Sequence, residues 1–132
     1  MKKFGLSADE KLKGRKDIEE LFSKGIILYS STKTIKAVYL IDKISINSGV
    51  KVAVAVSHKS GKAYWRNRVK RLLRESYRLN KDILLNRTEN LSLFIRIIFS
   101  PYSLNMRNNK NISLKDIMPD VIDIMSRISM NV

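Results

Sequence analysis

Arg66, Asn67, Arg68, Lys70, Arg71, Arg74 and Arg78 crowd one short stretch of this 132-residue chain. Cations packed this densely suit one kind of chemistry, the neutralisation of a polyanion. Five of the six charges are arginine, whose planar fork pairs with phosphates and base edges more readily than a lysine ammonium does. Glu75 is the one acid in the stretch, so the i,i+4 acid–base pairs of a merely solvated helix are missing. A charged helix face is ordinarily just a solvated one; here mutual repulsion without acidic partners favours an anionic ligand.

The stretch has a scaffold of its own. Trp65, Val69, Leu72 and Leu73 recur at i, i+4, i+7 and i+8, which predicts an amphipathic helix from near Ala63 to near Leu79. Asn67, Lys70, Arg71, Arg74 and Arg78 fall on the face opposite the apolar stripe, and Arg66 and Arg68 flank it. The whole chain shares the bias. Lys and Arg number 26 against 12 Asp and Glu, a formal net charge of +14, which for one small domain is the electrostatic footprint of nucleic-acid binding. An anionic membrane surface is the rival partner, but it requires exposed bulky apolar residues, and the apolar stripe here is needed for a core.

Composition excludes several function classes. Without cysteine the chain has no disulfide, thiolate nucleophile or sulfur-ligated metal, and it suits a reducing, cytoplasmic setting. Asp9, Glu10 and Lys11 interrupt any apolar continuation of the basic N-terminus, so no secretory signal is expected, and no apolar run approaches a membrane span. No catalytic residue is expected. His58 is the only histidine, which excludes a histidine-pair ribonuclease, and no two acids share a predicted strand at the spacing of a two-metal nuclease. Asp120 and Asp123 share a helical face and are best taken as structural. A metal site is not expected, nor is a small-molecule substrate, since no glycine-rich phosphate cradle is present.

The elements follow in order. Residues 1–16 form a basic, partly ordered arm. Asp17 to Gly25 is a short helix, capped by Asp17 and ended by Gly25, with Ile18, Leu21 and Phe22 inward. Ile26 to Tyr29 is a short strand. Thr34 to Ile41 is a strand with Ile35, Ala37, Tyr39 and Ile41 on one side, and a turn through Asn47-Ser48-Gly49 follows. Lys51 to Ser57, apolar on both faces, is a central strand. After the basic helix, Lys81 to Asn90 is a polar connection, Leu91 to Phe99 a buried strand stopped by Pro101, and residues 103–111 a mobile loop. Ser113 and Asp116 cap a last helix carrying Leu114, Ile117, Val121, Ile124 and Ile128, which Pro119 shifts or kinks. The whole is one domain, residues 1–132, with a sheet covered by helices; the strand–basic helix–strand unit would ordinarily cross over right-handed.

From Val52 to Glu75, and above all in Val56-Ser57-His58-Lys59-Ser60-Gly61-Lys62-Ala63 leading into Arg66-Asn67-Arg68-Val69-Lys70-Arg71-Leu72-Leu73-Arg74, the chain resembles the protein subunit of bacterial ribonuclease P. The resemblance implies an α+β fold, a two-layer sandwich in the order α-β-β-β-α-β-α, with a central mixed sheet and a left-handed crossover around the basic helix, against the general rule. It implies that the protein assists a catalytic RNA, with Mg2+ held mainly by that RNA, in removing the 5′ leader from precursor tRNA. Lys59, Lys62, Arg66, Asn67, Arg68, Lys70, Arg71 and Arg74 would then contact the catalytic RNA, and Ile18, Phe22 and Tyr39 would line a cleft for the single-stranded leader. The chain departs from the family at Ile18, where phenylalanine is common, at Lys36, His58 and Phe99, and in the longer loop at 103–111. A structural RNA-binding protein of ribosomal or ribosome-assembly type is the alternative function.

Overall fold

The computed structural model describes residues 10–43 and 48–132. Most of the arm ahead of residue 10, and Asn47 of the expected turn, lie outside the described residues. Among the described residues four helices and four strands follow one another: α1 (Arg15–Lys24), β1 (Ile26–Tyr29), β2 (Ile35–Asp42), β3 (Gly49–Val54), α2 (Ala63–Asn80), α3 (Asp82–Leu91), β4 (Phe94–Pro101) and α4 (Leu114–Met130), with a turn of 3-10 helix at His58–Ser60 before α2. The order is the expected one with α3 added.

The sheet runs β1-β2-β4-β3. β2 is antiparallel to both β1 and β4, while β3 is parallel to β4, so the sheet is mixed. β3 is therefore the edge of the ladder rather than its centre. Its apolar character on both faces comes from packing on both, Val50 and Val52 on one side and Ala53 on the other. Its flank is closed by the arm, where the Leu12 amide donates to the Val52 carbonyl at 2.9 Å and Leu12 itself is buried.

Period-2 alternation divides the sheet between two cores. Ile35, Ala37 and Tyr39 of β2, with Ile95, Ile97 and Phe99 of β4, pack against Trp65, Val69 and Leu73 of α2 and Ile117, Val121 and Ile124 of α4. Val38 and Ile98 face the other way, beneath Leu21 of α1 and Leu12. The large core thus carries the basic helix, and the small one carries α1.

Local chemistry sets the ends of the elements. α1 begins two residues before Asp17, after Gly14, with no side-chain cap; Asp17 instead reaches Arg96. At its end the Gly25 amide donates to the Leu21 carbonyl at 2.8 Å, and a Cβ at Gly25 would collide with that carbonyl and with Val38, so the turn into β1 requires glycine. Residues 82–91 are helical because Leu84 and Thr88, one turn apart, are both buried and the Thr88 hydroxyl bonds back to the Leu85 carbonyl; the polar exterior hides this face in the sequence. The Ser113–Asp116 cap is present, the Ser113 amide and hydroxyl donating to Asp116 Oδ2 at 2.9 and 3.0 Å. α4 continues through Pro119, which sits on the exposed side.

Candidate nucleic-acid interface

α2 buries Trp65, Val69, Leu72, Leu73, Ser76 and Tyr77, which turns Asn67, Arg71 and Arg74 outward and leaves Arg66 and Lys70 half-buried. The two flanking arginines are held by their stems. Arg66 Nε donates to the Gly61 carbonyl at 3.0 Å and Arg68 Nε to the Ile112 carbonyl at 2.7 Å. Each bond orients a guanidinium plane while sparing the terminal nitrogens that would meet a ligand. Lys62 is the residue preceding the first turn of α2, and Lys59 lies on the exposed 3-10 turn before it, its amide on Ser57 Oγ at 3.3 Å. All eight predicted docking residues therefore lie on α2 or on the segment leading into it.

Electrostatics at this end of α2 point one way. A helix N-terminus is already the positive end of the backbone dipole, and here it is surrounded by Lys59, Lys62 and Arg66 with no acid in its first turn. Among the described residues the only ion pair on α2 is Arg78–Glu75 at 3.0 Å, far along the helix. Tyr64, 59% exposed, lies in a shallow groove with Asn67, Arg68 and Arg71. The sequence reading missed it, because an aromatic residue beside Trp65 is naturally assigned to the core. A ring between guanidinium groups offers a stacking platform for a base.

The second predicted site is on the opposite face of the sheet. Ile18 is half-buried against the small core and Phe22 is 58% exposed, so α1 presents both along one side. Tyr39 does not join them. It is buried in the large core, in register with Ile97, and it faces α2 and α4. The alternation in β2 is as expected, but the side beneath α1 is the other one, with Lys36 and Leu40 half-buried and Val38 buried, and with Ile98 and Ser100 paired beside them. Ile27, opposite Val38 and over half exposed, extends this apolar floor. Phe99, like Tyr39, faces the large core.

Arg96 ties α1 to that floor, and nothing in the sequence singled it out. Its side chain, 8% exposed, reaches Asp17 Oδ1 at 3.3 Å, Glu20 Oε1 at 2.7 Å and Asp42 Oδ2 at 3.6 Å. Two of the three carboxylates belong to α1, so a buried cation on β4 fixes the helix that carries Ile18 and Phe22.

The loop at 103–111 is packed rather than loose. Leu104 and Ile112 are buried at its ends, Trp65 Nε1 donates to the Asn109 carbonyl at 2.9 Å, and the Met106 amide donates to the Ser60 carbonyl at 2.7 Å. Gly61 allows this approach, since a Cβ there would stand 2.6 Å from that of Met106.

Asp120 and Asp123 are engaged in structural bonds. Asp120 accepts from the hydroxyls of Thr32 and Thr34 at 2.8 and 2.6 Å. Asp123 accepts from the amide and hydroxyl of Ser31, and these bonds with Arg127 hold its carboxyl below the ordinary value although burial pushes it up. Among the described residues no group of three or more His, Asp or Glu is placed to hold a metal, and no helix is long and apolar enough to cross a membrane.

A mixed four-stranded sheet with a cationic helix on one face and a short helix pinned over the other defines a basic α+β domain. Comparison with known proteins narrows this class. The ribonuclease P family model matches residues 6–116. The ribonuclease P protein component of Clostridium botulinum is 30% identical over 90% of this chain and 94% of its own length; that of Porphyromonas gingivalis is 34% identical over 73% of this chain and 69% of its own. The solved ribonuclease P protein of Thermotoga maritima superposes with a TM-score of 0.69 at 21% identity, covering 89% of this chain and 96% of that one, and that of Staphylococcus aureus gives 0.65 at 18% identity, covering 91% and 94%. The chain belongs to the ribonuclease P protein family.

Proposed function

We propose that this chain, as a ribonuclease P protein component acting in tRNA 5′ processing with the chemistry carried by RNA, works through two surfaces on opposite faces of its sheet. The outer face of α2, with Lys59, Lys62, Arg66, Asn67, Arg68, Lys70, Arg71 and Arg74, docks on the catalytic RNA. The cleft between α1 and the sheet, with Ile18 and Phe22 on its wall and the half-buried Lys36 and Leu40 on its floor, holds the unpaired leader of precursor tRNA. The observation that carries this reading is the run of cations from Arg66 to Arg74 on α2, none of which has an acidic partner among the described residues, the one ion pair on the helix being Arg78–Glu75 beyond them.

The physics is that of charge compensation. Catalytic RNA and precursor are both polyanions, and +14 of protein charge offsets their repulsion, which lowers the Mg2+ concentration needed to bring them together. The divalent ion itself is held mainly by the RNA; in this chain Asp17, Glu20 and Asp42 serve Arg96, Asp120 and Asp123 the β1–β2 hairpin, and Asp116 the α4 cap. The setting is cytoplasmic, and the chain acts as a single RNA-binding domain.

Leader-dependent affinity tests this. The reconstituted holoenzyme should bind precursor tRNA with an unpaired leader more tightly than mature tRNA, and the catalytic RNA alone should show little of that difference. Equal discrimination with and without the protein would contradict a leader cleft in this chain.

A further inference from the structure

We propose that the loop between β4 and α4 is a second RNA-docking element, which extends the α2 surface and seats a further stretch of the catalytic RNA backbone on Arg107 and Lys110. The inference rests on the docking role of α2 proposed above.

The loop is built as an extension of the docking helix. Four bonds fasten it to α2 and the turn before it: the Met106 amide to the Ser60 carbonyl at 2.7 Å, the Lys62 amide to Met106 Sδ at 3.5 Å, Trp65 Nε1 to the Asn109 carbonyl at 2.9 Å and Arg68 Nε to the Ile112 carbonyl at 2.7 Å. Two of the donors, Lys62 and Arg68, are themselves predicted docking residues, so the loop and the helix face are set relative to each other by the same groups. Inside the loop, Asn105 Oδ1 accepts from the Asn108 amide at 2.9 Å and Asn109 Oδ1 from the Asn105 amide at 3.3 Å. Asparagine is spent on holding the backbone in shape, a pre-organised form that loses less entropy on binding.

What the loop presents suits a polyanion. Arg107, Asn108, Lys110 and Asn111 are exposed. Among the described residues neither Arg107 nor Lys110 has an ion-pair partner. They border a hollow of about 560 Å3 that also touches Thr34 and Asp116, and the Asp116 carboxylate is already occupied by the amide and hydroxyl of Ser113. Two free cations beside amide donors and acceptors match phosphates and ribose hydroxyls better than an apolar ligand. The partner is the catalytic RNA rather than the leader, because the loop is joined to the α2 side of the sheet and α1 lies on the other.

The test is an Arg107→Gln/Lys110→Gln variant of the full chain, checked for an unchanged circular dichroism spectrum and melting temperature. Its affinity for the catalytic RNA is measured over a range of salt beside that of the wild type and of Arg71→Ala/Arg74→Ala. The loop variant should bind roughly tenfold more weakly, with a log K against log salt slope shallower by roughly 1.5, the loss of two phosphate contacts. Hydroxyl-radical footprinting should lose a patch of protection different from the patch lost in the α2 variant. An unchanged slope and footprint in the loop variant, with the α2 variant weakened, would overturn the proposal and leave α2 docking intact. Unchanged binding in both variants would overturn the two together. Loss confined to precursor tRNA would overturn the assignment to catalytic RNA.

Discussion

Arg96 Nη2 lies 2.7 Å from Glu20 Oε1, and this contact joins β4, an inner strand of the sheet, to α1, the helix that carries Ile18 and Phe22. α1 has little else to hold it. Leu21 is its one buried residue, and a fully buried leucine contributes only about 1.5–3 kcal/mol. Because Asp17 and Glu20 both reach the same guanidinium, the position of Phe22 above the sheet depends on a residue that need not touch the leader.

Replacing that residue separates positioning from docking. Arg96→Met should lower stability by about 1–2 kcal/mol, less than a fully buried pair would, since the three carboxylates are 41–53% exposed and become solvated. Amide exchange in residues 15–24 should quicken, and KM for leader-bearing precursor should rise by roughly three- to tenfold, about 0.7–1.4 kcal/mol. Affinity for the catalytic RNA should stay at the wild-type value. A loss of RNA affinity with the leader effect intact would show that Arg96 serves the other surface.

Phe22 and Tyr39 should behave as opposites. Phe22 is 58% exposed and Tyr39 4%. Phe22→Ala should leave the melting temperature nearly unchanged and weaken leader binding by about 1–3 kcal/mol, the scale of one lost stacking partner. Tyr39→Ala should cost about 3–5 kcal/mol of folding stability as a large-to-small change in the core, with any loss of activity following the unfolded fraction. Denaturant unfolding and KM, measured together on both variants, decide this.

Acid should loosen α4 first at its cap. The Ser113 amide, aided by the Ser113 hydroxyl, holds the Asp116 carboxyl below its ordinary value of 3.8. A depressed carboxyl contributes stability in full above that ordinary value and loses it as pH falls through the folded one. Asp123 is depressed as well and adds to the same trend. The urea midpoint should therefore fall between about pH 5 and pH 3. Ser113→Ala should cost about 1 kcal/mol at neutral pH, while Asp116→Asn, which removes the titrating carboxyl, should flatten that fall; a fall in the Asp116→Asn variant as steep as that of the wild type would mean that other groups govern it.

The basic helix was legible in the sequence because its apolar stripe and its cations occupy different angular sectors, which periodicity resolves. The element order was legible from the apolar patterns and turn signals, with which the resemblance around Arg66-Asn67-Arg68 agreed. The cleft was less so. β2 is apolar on both sides, since Val38 and Leu40 meet α1 while Ala37 and Tyr39 meet α2 and α4. Alternation alone sorts such residues into two sets without saying which helix each set faces. Arg96 looked like an interruption in an apolar strand because its three partners come from α1 and the end of β2, distant in sequence. The order in 103–111 rests on main-chain carbonyls of Asn109 and Ile112, which leave no mark on residue type. The edge position of β3 was hidden for a related reason, since Leu12 covers a flank that the ladder leaves open.

Cleavage of a precursor tRNA at low Mg2+, with the catalytic RNA alone, this protein alone, and both together, tests the central claim most directly. The account predicts a correct 5′ end only when both are present, and loss of the protein requirement as Mg2+ is raised. Cleavage by the protein alone would contradict it by revealing catalytic groups in this chain, and an RNA whose low-Mg2+ activity is unmoved by bound protein would leave only a structural RNA-binding role.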